Sequence, residues 1–367
     1  MEKIKINKKD LIIRLIFLAI LTYIFLLSIK LMGGSFKLLG KDFAEQLLTI
    51  TANPLVGLFI GILATSLVQS SSVTTSVIVG LTASGALTVA GAVPLIMGAN
   101  IGTSITNTIV SLGHITKKDE FKRALQVATV HDFFNFVVVL ILFPIELLFH
   151  PLEKAAVFLT STLLGSNFNL SFSSPLDYIV KPVANLIQTG LGEQAIFQLL
   201  VAFLMIFISL RYFVKIIKPL AETEFKILLQ DHLFRTPFLS FLVGLVLTIV
   251  VQSSSVSTSL AVPIAGVGML GLHKLYPYIL GANIGTTFTA LLASIVTGSP
   301  LAVTVALEHF LFNCFGSALM YPLRSIPIKL SIWLSELAMK SRFVPFLYLG
   351  IVFYIIPSVV IFFSVVR

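Results

Sequence analysis

Charge is what this 367-residue chain has least of. Asp, Glu, Lys and Arg together make up 11% of it, while hydrophobic residues make up 57%. A soluble domain carries about 25% charged residues. Less than half of that cannot cover a water-facing surface, so an ordinary soluble domain is excluded. Cysteine is nearly absent. Cys314 stands alone, which rules out an intrachain disulfide and leaves the redox compartment unread. No CxxC, HExxH or GxxxxGK[ST] occurs, so the common zinc and phosphate-loop motifs are missing. The alternating ~10-residue segments of a membrane β-barrel are missing too.

What is present is long apolar sequence. Runs at 11–29, 194–210, 237–251 and 343–366 approach or exceed the roughly 20 residues that span a bilayer. The expected class is an all-α polytopic membrane protein. A net charge of +9 then reports cytoplasmic loops rather than nucleic-acid binding. The N-terminus, MEKIKINKKD, leads into the first run, and no A-x-A-like cleavage site precedes Lys30. It reads as an uncleaved span rather than a signal peptide. Lys3, Lys5, Lys8 and Lys9 place that terminus in the cytoplasm of a cell (inner) membrane protein.

The chain repeats itself. A shift of 183 residues lays Thr65–Ser76 (TSLVQSSSVTTS) on Thr248–Ser259 (TIVVQSSSVSTS), with nine of twelve identical. The same shift lays Gly98–Thr106 (GANIGTSIT) on Gly281–Thr289 (GANIGTTFT), with seven of nine identical, and Pro54 on Pro237. After a five-residue slip, HDFFN at 131–135 meets HFLFN at 309–313. The expected organisation is a first repeat at 1–145, an external connector at 146–193, a second repeat at 194–325, and a cytoplasmic linker with a C-terminal span at 326–367. NFNLSFSSP is the polar part of the connector.

Loop charge suggests that the second copy is inverted. Four lysines precede the first unit, while GLGE precedes the second. GHITKKDEFKR at 113–123 holds four Lys/Arg, and its counterpart TGSPL holds none. FPIELLFHP follows the first unit without Lys or Arg, whereas Arg324 and Lys329 follow the second. The pair of loops after the first spans is ambiguous. Basic loops stay in the cytoplasm, so the repeats have opposite topology. Segment 43–84 then reads as a re-entrant hairpin with QSSS at its middle, repeated upside down.

The polar motifs are the candidate site. Facing lipid, unpaired Ser and Gln groups would cost several kcal/mol each. Three consecutive serines cover too much of a helix to hide against one neighbour. Serines that bond back to their own helix explain scattered cases such as Ser28, but not a duplicated Gln-Ser-Ser-Ser. In GANIGT, two glycines around Asn permit unwound backbone. The same G-x-x-x-G also suits close helix packing. Tied to QSSS by the common offset, it reads as broken helix beside a cavity. Such a site offers hydroxyls and amides and almost no fixed charge. It suits a small anion bound together with cations, which is the physical basis of cation-coupled transport.

His131-Asp132 and Glu308-His309 begin the fourth element of each unit and are functional suspects at that depth. His131 and His309, with Asn135 and Asn313 four residues on, are read as joining this element to the broken ones. Arg123 is either an anion ligand or an ordinary end-of-helix arginine.

At these residues the chain resembles the type II sodium-dependent phosphate (Na/Pi) cotransporters. LIMGANIGTSITNTIVSL at 95–112, ATVHDFFN at 128–135 and YILGANIGTTFTALLAS at 278–294 carry the resemblance, which covers roughly 11–325. It implies paired inverted repeats, each with a QSSS. It also implies sodium-coupled symport of inorganic phosphate by alternating access. No cofactor is implied beyond sodium as coupling ion, and the only partners are phosphate, sodium and membrane lipid. Carried over by motif, Gln69, Ser70, Ser71, Ser72, Gln252, Ser253, Ser254 and Ser255 surround phosphate. Ser71, Ser72, Thr75, Asn100, Thr103, Thr106, Ser254, Ser255, Thr258, Asn283, Thr286 and Thr289 offer oxygens to sodium. Arg123, His131, Asn135, His309 and Asn313 are accessory. The sequence shows no counterpart of the soluble helical domain of many bacterial relatives, nor of the large external loop of animal members. These departures bear on regulation and not on transport. A homodimer is compatible with such a carrier.

Rival readings are a carrier for another small oxyanion, a phosphate exporter and a channel with a backbone-oxygen filter. An intramembrane serine hydrolase needs one activated serine, and two equivalent triplets argue against it. The protein is therefore expected not to be an enzyme.

Overall fold

The structure is a computed structural model that describes residues 8–165, 177–192, 194–230 and 234–365. Among these, every regular element is a helix. The first unit comprises α1 (Lys8–Leu38), α2 (Gly40–Thr51), α3 (Pro54–Val68), α4 (Ser71–Ser84), α5 (Val89–Thr103), α6 (Ile105–Ser111) and α7 (Lys118–Phe149). Next come α8 (Pro151–Leu164) and α9 (Asp177–Leu191). The second unit comprises α10 (Ala195–Gln230), α11 (Pro237–Val251), α12 (Ser254–Gly266), α13 (Leu272–Gly285), α14 (Thr287–Thr297) and α15 (Pro300–Met320). The chain continues through α16 (Ser325–Lys340), α17 (Val344–Gly350), a π turn at Ile351–Ile355, and α18 (Ile356–Val365).

Seven helical stretches among the described residues are long and apolar enough to cross a membrane. They are Ile12–Leu38, Val89–His114, Lys118–Phe149, Ala195–Ile217, Leu272–Thr297, Pro300–Met320 and Val344–Ser364. The QSSS segments are built differently. α3 and α4 have 15 and 14 residues, α11 and α12 have 15 and 13. At 1.5 Å per residue none reaches much past ~22 Å, short of a ~30 Å hydrocarbon core. They pair instead as helix–turn–helix hairpins, and α2 meets α3 at 102°.

The local sequence dictates each hairpin. Asn53 caps α3, accepting from Leu55 N at 3.0 Å, with Pro54 as first helical residue. Thr236 caps α11 ahead of Pro237 in the same way. Proline suits that position because its missing N–H would have no partner there. Both first arms then lie against a glycine-lined partner. A methyl group added to Gly61 would collide with Leu95 O, and one added to Gly98 with Leu58 O. At the 183-residue offset, Gly244 meets Tyr278 O and Gly281 meets Phe241 O. The duplication seen in sequence is thus a duplication of contacts.

The units interlock reciprocally. α4 packs on α14 and α15, while α12 packs on α6 and α7, and α1 lies along α10. α8 lies on α15 and α16 lies on α7.

Several expectations need correction. The glycines of GANIGT are not unwound. Gly98 and Gly102 sit inside α5, Gly281 and Gly285 inside α13, and all serve close packing. The helix breaks just past them, at Ser104, two residues after Gly102, and at Thr286, directly after Gly285. The expected connector and linker are compatible with the helices they contain, α8, α9 and α16. His131 and His309 lie in the middle of α7 and α15, not at their starts, because α7 begins at Lys118 and α15 at Pro300. Lys3, Lys5 and the NFNLSFSSP segment lie outside the described residues.

Candidate binding site between the hairpin tips

Each hairpin turns at its glutamine. Gln69 has φ 55°, ψ 30°, and Gln252 has φ 57°, ψ 24°. The following serines are extended: Ser70 at φ −151°, ψ 103° and Ser253 at φ −154°, ψ 109°. Each caps the second arm, accepting from Val73 N and Val256 N at 3.3 Å. The two serines after each cap therefore supply the first N–H groups of α4 and α12, which no carbonyl within the helix can satisfy. Two positive helix ends are thus presented by the two tips, and such ends favour anions.

The tips meet. Ser72 Oγ donates to Gln252 O at 3.1 Å and lies 3.5 Å from Thr289 Oγ1. Thr289 Oγ1 donates to Gln252 Oε1 at 2.8 Å, and Gln252 Nε2 donates to Ile249 O at 2.6 Å. On the other side, Ser255 Oγ reaches Thr103 O at 3.4 Å, at the α5–α6 break. The break thus leaves a carbonyl that a serine of the opposite hairpin uses. The environments of the two glutamines differ. Gln252 is half-buried and bonded, whereas Gln69 is exposed and makes no side-chain hydrogen bond among the described residues.

That difference gives a test. Glycine adopts left-handed backbone freely, so Gln69→Gly and Gln252→Gly keep the turns. Gln252→Gly loses two side-chain bonds and is expected to cost about 1 kcal/mol or more. Gln69→Gly is expected to cost nothing measurable. Thermal melting in detergent reads both, and an equal loss in the two variants would contradict the geometry.

A polar chain crosses the unit interface behind the tips. Thr258 Oγ1 lies 2.9 Å from Asn107 Oδ1. Asn107 Nδ2 lies 3.4 Å from His131 Nδ1, and His131 Nε2 lies 3.2 Å from Asn283 Oδ1. Asn283 Nδ2 donates to Asn313 Oδ1 at 3.0 Å, and Asn313 Nδ2 returns a bond to Asn283 O at 2.9 Å. Asn135 Nδ2 makes the matching bond to Asn100 O at 3.0 Å. A carboxamide oxygen only accepts, so the bond to Asn283 puts the His131 proton on Nε2.

The second histidine has no such role. His309 is buried, and neither ring nitrogen has a partner among the described residues. The position matching Asn107 is Ala290, which cannot bond it.

Asp132, singled out with His131 in the sequence, adds a carboxylate to a site expected to hold almost no fixed charge. It is fully buried, and its Oδ2 accepts from Thr108 Oγ1 at 3.2 Å and Tyr348 OH at 2.9 Å. Its Oδ1 has no partner among the described residues. The hydroxyls of Thr106, Ser254 and Thr286 are likewise buried and unpartnered, whereas Thr75 and Thr103 bond back to Ser71 O and Ala99 O.

Arg123 stands apart. Its guanidinium donates to Ala265 O at 3.3 Å and Gly266 O at 2.7 Å, closing the C-terminal end of α12. That end lies some ~18 Å from Ser254, a helix length of 13 residues away.

Asn107, Thr108 and Tyr348 were missed. Asn107 had a signal, because Asn100, Thr103 and Asn107 follow helical spacing on one face.

Paired hairpins with polar tips, enclosed by apolar helices long enough to cross a bilayer, define a multi-pass membrane protein. The sequence profile of the Na+/Pi-cotransporter family matches residues 24–215 and 204–358. The chain belongs to that family, one of transporters and not of enzymes. It is 33% identical to sodium-dependent phosphate transport protein 2B of Homo sapiens, over 95% of this chain and 64% of the relative. It is 33% identical to protein 2A of Rattus norvegicus, over 92% of this chain and 66% of the relative. The 2B protein of Pongo abelii is 32% identical, over 95% and 65%. The chain thus spans just under two thirds of the length of these relatives. No solved structure matches.

Proposed function

We propose that this protein is a secondary active transporter that carries inorganic phosphate with sodium. The site lies between the two QSSS tips, and access alternates as the hairpins move against the outer spans. The observation that carries this reading is the tip-to-tip contact of Ser72 with Gln252, beside two helix N-termini. Gln69–Ser72 and Gln252–Ser255 donate to phosphate. Thr75, Asn100, Thr103, Thr106, Thr258, Asn283, Thr286 and Thr289, with Ser71, Ser72, Ser254 and Ser255, supply oxygens for sodium. Asp132 adds a carboxylate to that set, and its free Oδ1 wants a cation. The relatives' names, which state sodium-dependent phosphate transport, agree with this cargo.

Opposite topology of the two units has its own support. Three candidate spans separate the start of α1 from α8 when the α2–α3 pair, bent by 102°, is read as re-entrant. α8 and α9, at 14 and 15 residues, are short for a crossing. An odd number of crossings starts the second unit on the other side of the membrane from the first.

Radiolabelled phosphate uptake into proteoliposomes tests the reading. An inward Na+ gradient is expected to drive saturable accumulation, and replacing Na+ with K+ is expected to remove it. Accumulation indifferent to Na+ would remove the coupling, and flux that never saturates would favour a channel.

A further inference from the structure

A second polar cluster lies where α7, α8 and α15 meet. Glu146, in the last turns of α7, accepts Leu152 N at 2.8 Å and Glu153 N at 3.1 Å, closing the N-terminus of α8. His150 joins the two helices, with Nδ1 3.3 Å from Glu153 Oε2. One ligand atom from each of Glu146, His150 and Glu153 lies within 4.8 Å of the others. All three line one cavity of about 340 Å³.

Glu308 is the independent observation. It is 1% exposed, and neither carboxylate oxygen has a partner among the described residues. Its face of α15 is turned toward α8. Thr304, one turn earlier, has its hydroxyl 3.0 Å from that of Thr160. Leu307 packs with Ala156. The two helices run antiparallel here, so the next turn of α15 approaches the start of α8, where Glu153 sits.

Glu146, Glu153 and one imidazole therefore converge at the junction, and the buried Glu308 carboxylate lies on the helix packed against α8. No Lys or Arg among the described residues forms an ion pair with any of them. A buried carboxylate with no partner is costly, and its like-charged neighbours add repulsion. A cation relieves both.

We infer that this junction binds one divalent cation of the Mn²⁺ or Zn²⁺ class. Glu146, His150 and Glu153 are its ligands, and Glu308 supplies the balancing charge from the second unit. One imidazole with carboxylates is a donor set for such borderline ions. Glu146 already turns toward backbone N–H groups, but each of its oxygens keeps a lone pair. The site is separate from the hairpin tips and does not depend on what they carry.

The test is titration of the purified full chain with Mn²⁺, following the free-ion EPR signal, with Zn²⁺ as competitor. One Mn²⁺ per chain is expected, displaced by Zn²⁺. The partly exposed pair His150→Ala/Glu153→Gln is expected to weaken binding at least tenfold with folding kept. Glu308→Gln is expected to weaken it at least threefold and to raise the melting temperature of the metal-free protein. Absence of stoichiometric Mn²⁺ binding overturns the inference. So does unchanged affinity in either variant. Phosphate uptake does not enter the readout, so failure here leaves the transport reading standing.

Discussion

Gly98→Val and Gly281→Val are expected to leave no monodisperse protein after detergent extraction. Each side chain would enter the backbone of the facing helix, at Leu58 O for Gly98 and Phe241 O for Gly281. A carbonyl oxygen cannot swing aside as a side chain can, so the helices must separate. Overpacking typically costs 1–3 kcal/mol, and backbone collisions belong at or above about 3 kcal/mol. The α3–α5 and α11–α13 seams also set where the hairpin tips lie, so partial folding would misplace the tips. Gly33→Ala is the control. Nothing lies within 4 Å of a methyl group there, and alanine in a helix gains up to about 1 kcal/mol over glycine. Size-exclusion profiles and melting temperatures separate the cases. Normal Gly98→Val protein would mean the seam is looser than drawn.

These glycines show where sequence reading stopped. G-x-x-x-G inside an apolar run is compatible with a broken helix and with a packed one, because both need the absence of a side chain. Only the position of the facing carbonyls decides, and those come from residues 40 positions away in α3. The repeat was legible for the opposite reason. QSSS is chemically out of place in hydrocarbon, and a common offset for two such motifs is visible without any contact. The local preferences of Asn53–Pro54 at the start of α3 and of Ser70 as the cap of α4 agree with the fold.

The polar chain was half legible. Asn135 and Asn313 were placed on the face that meets the motifs, and they hold Asn100 O and Asn283 O. The two histidines could not be ranked. Their difference lies in Asn107 against Ala290, on another helix. Tyr348 had no signal, since it comes from a C-terminal span that the repeat does not contain.

Asp132→Asn is expected to raise the Na+ concentration for half-maximal uptake at least tenfold, a change of about 1.4 kcal/mol. Asp132 has no counterpart in the second unit, where Phe310 holds the matching place. Thr108 and Tyr348 fix one oxygen, and the other points to no donor. A full charge in that setting needs a compensating ion, and the amide does not. The same variant is therefore expected to melt higher than wild type in Na+-free buffer and to lose most of its stabilisation by added Na+. A carboxamide that merely broke the Tyr348 contact would lower stability in both buffers. Tyr348→Phe isolates that contact and is expected to leave most of the Na+ stabilisation in place. Unaltered Na+ dependence in well-folded Asp132→Asn protein would remove this carboxylate from the coupling site and return the whole task to neutral oxygens at the tips.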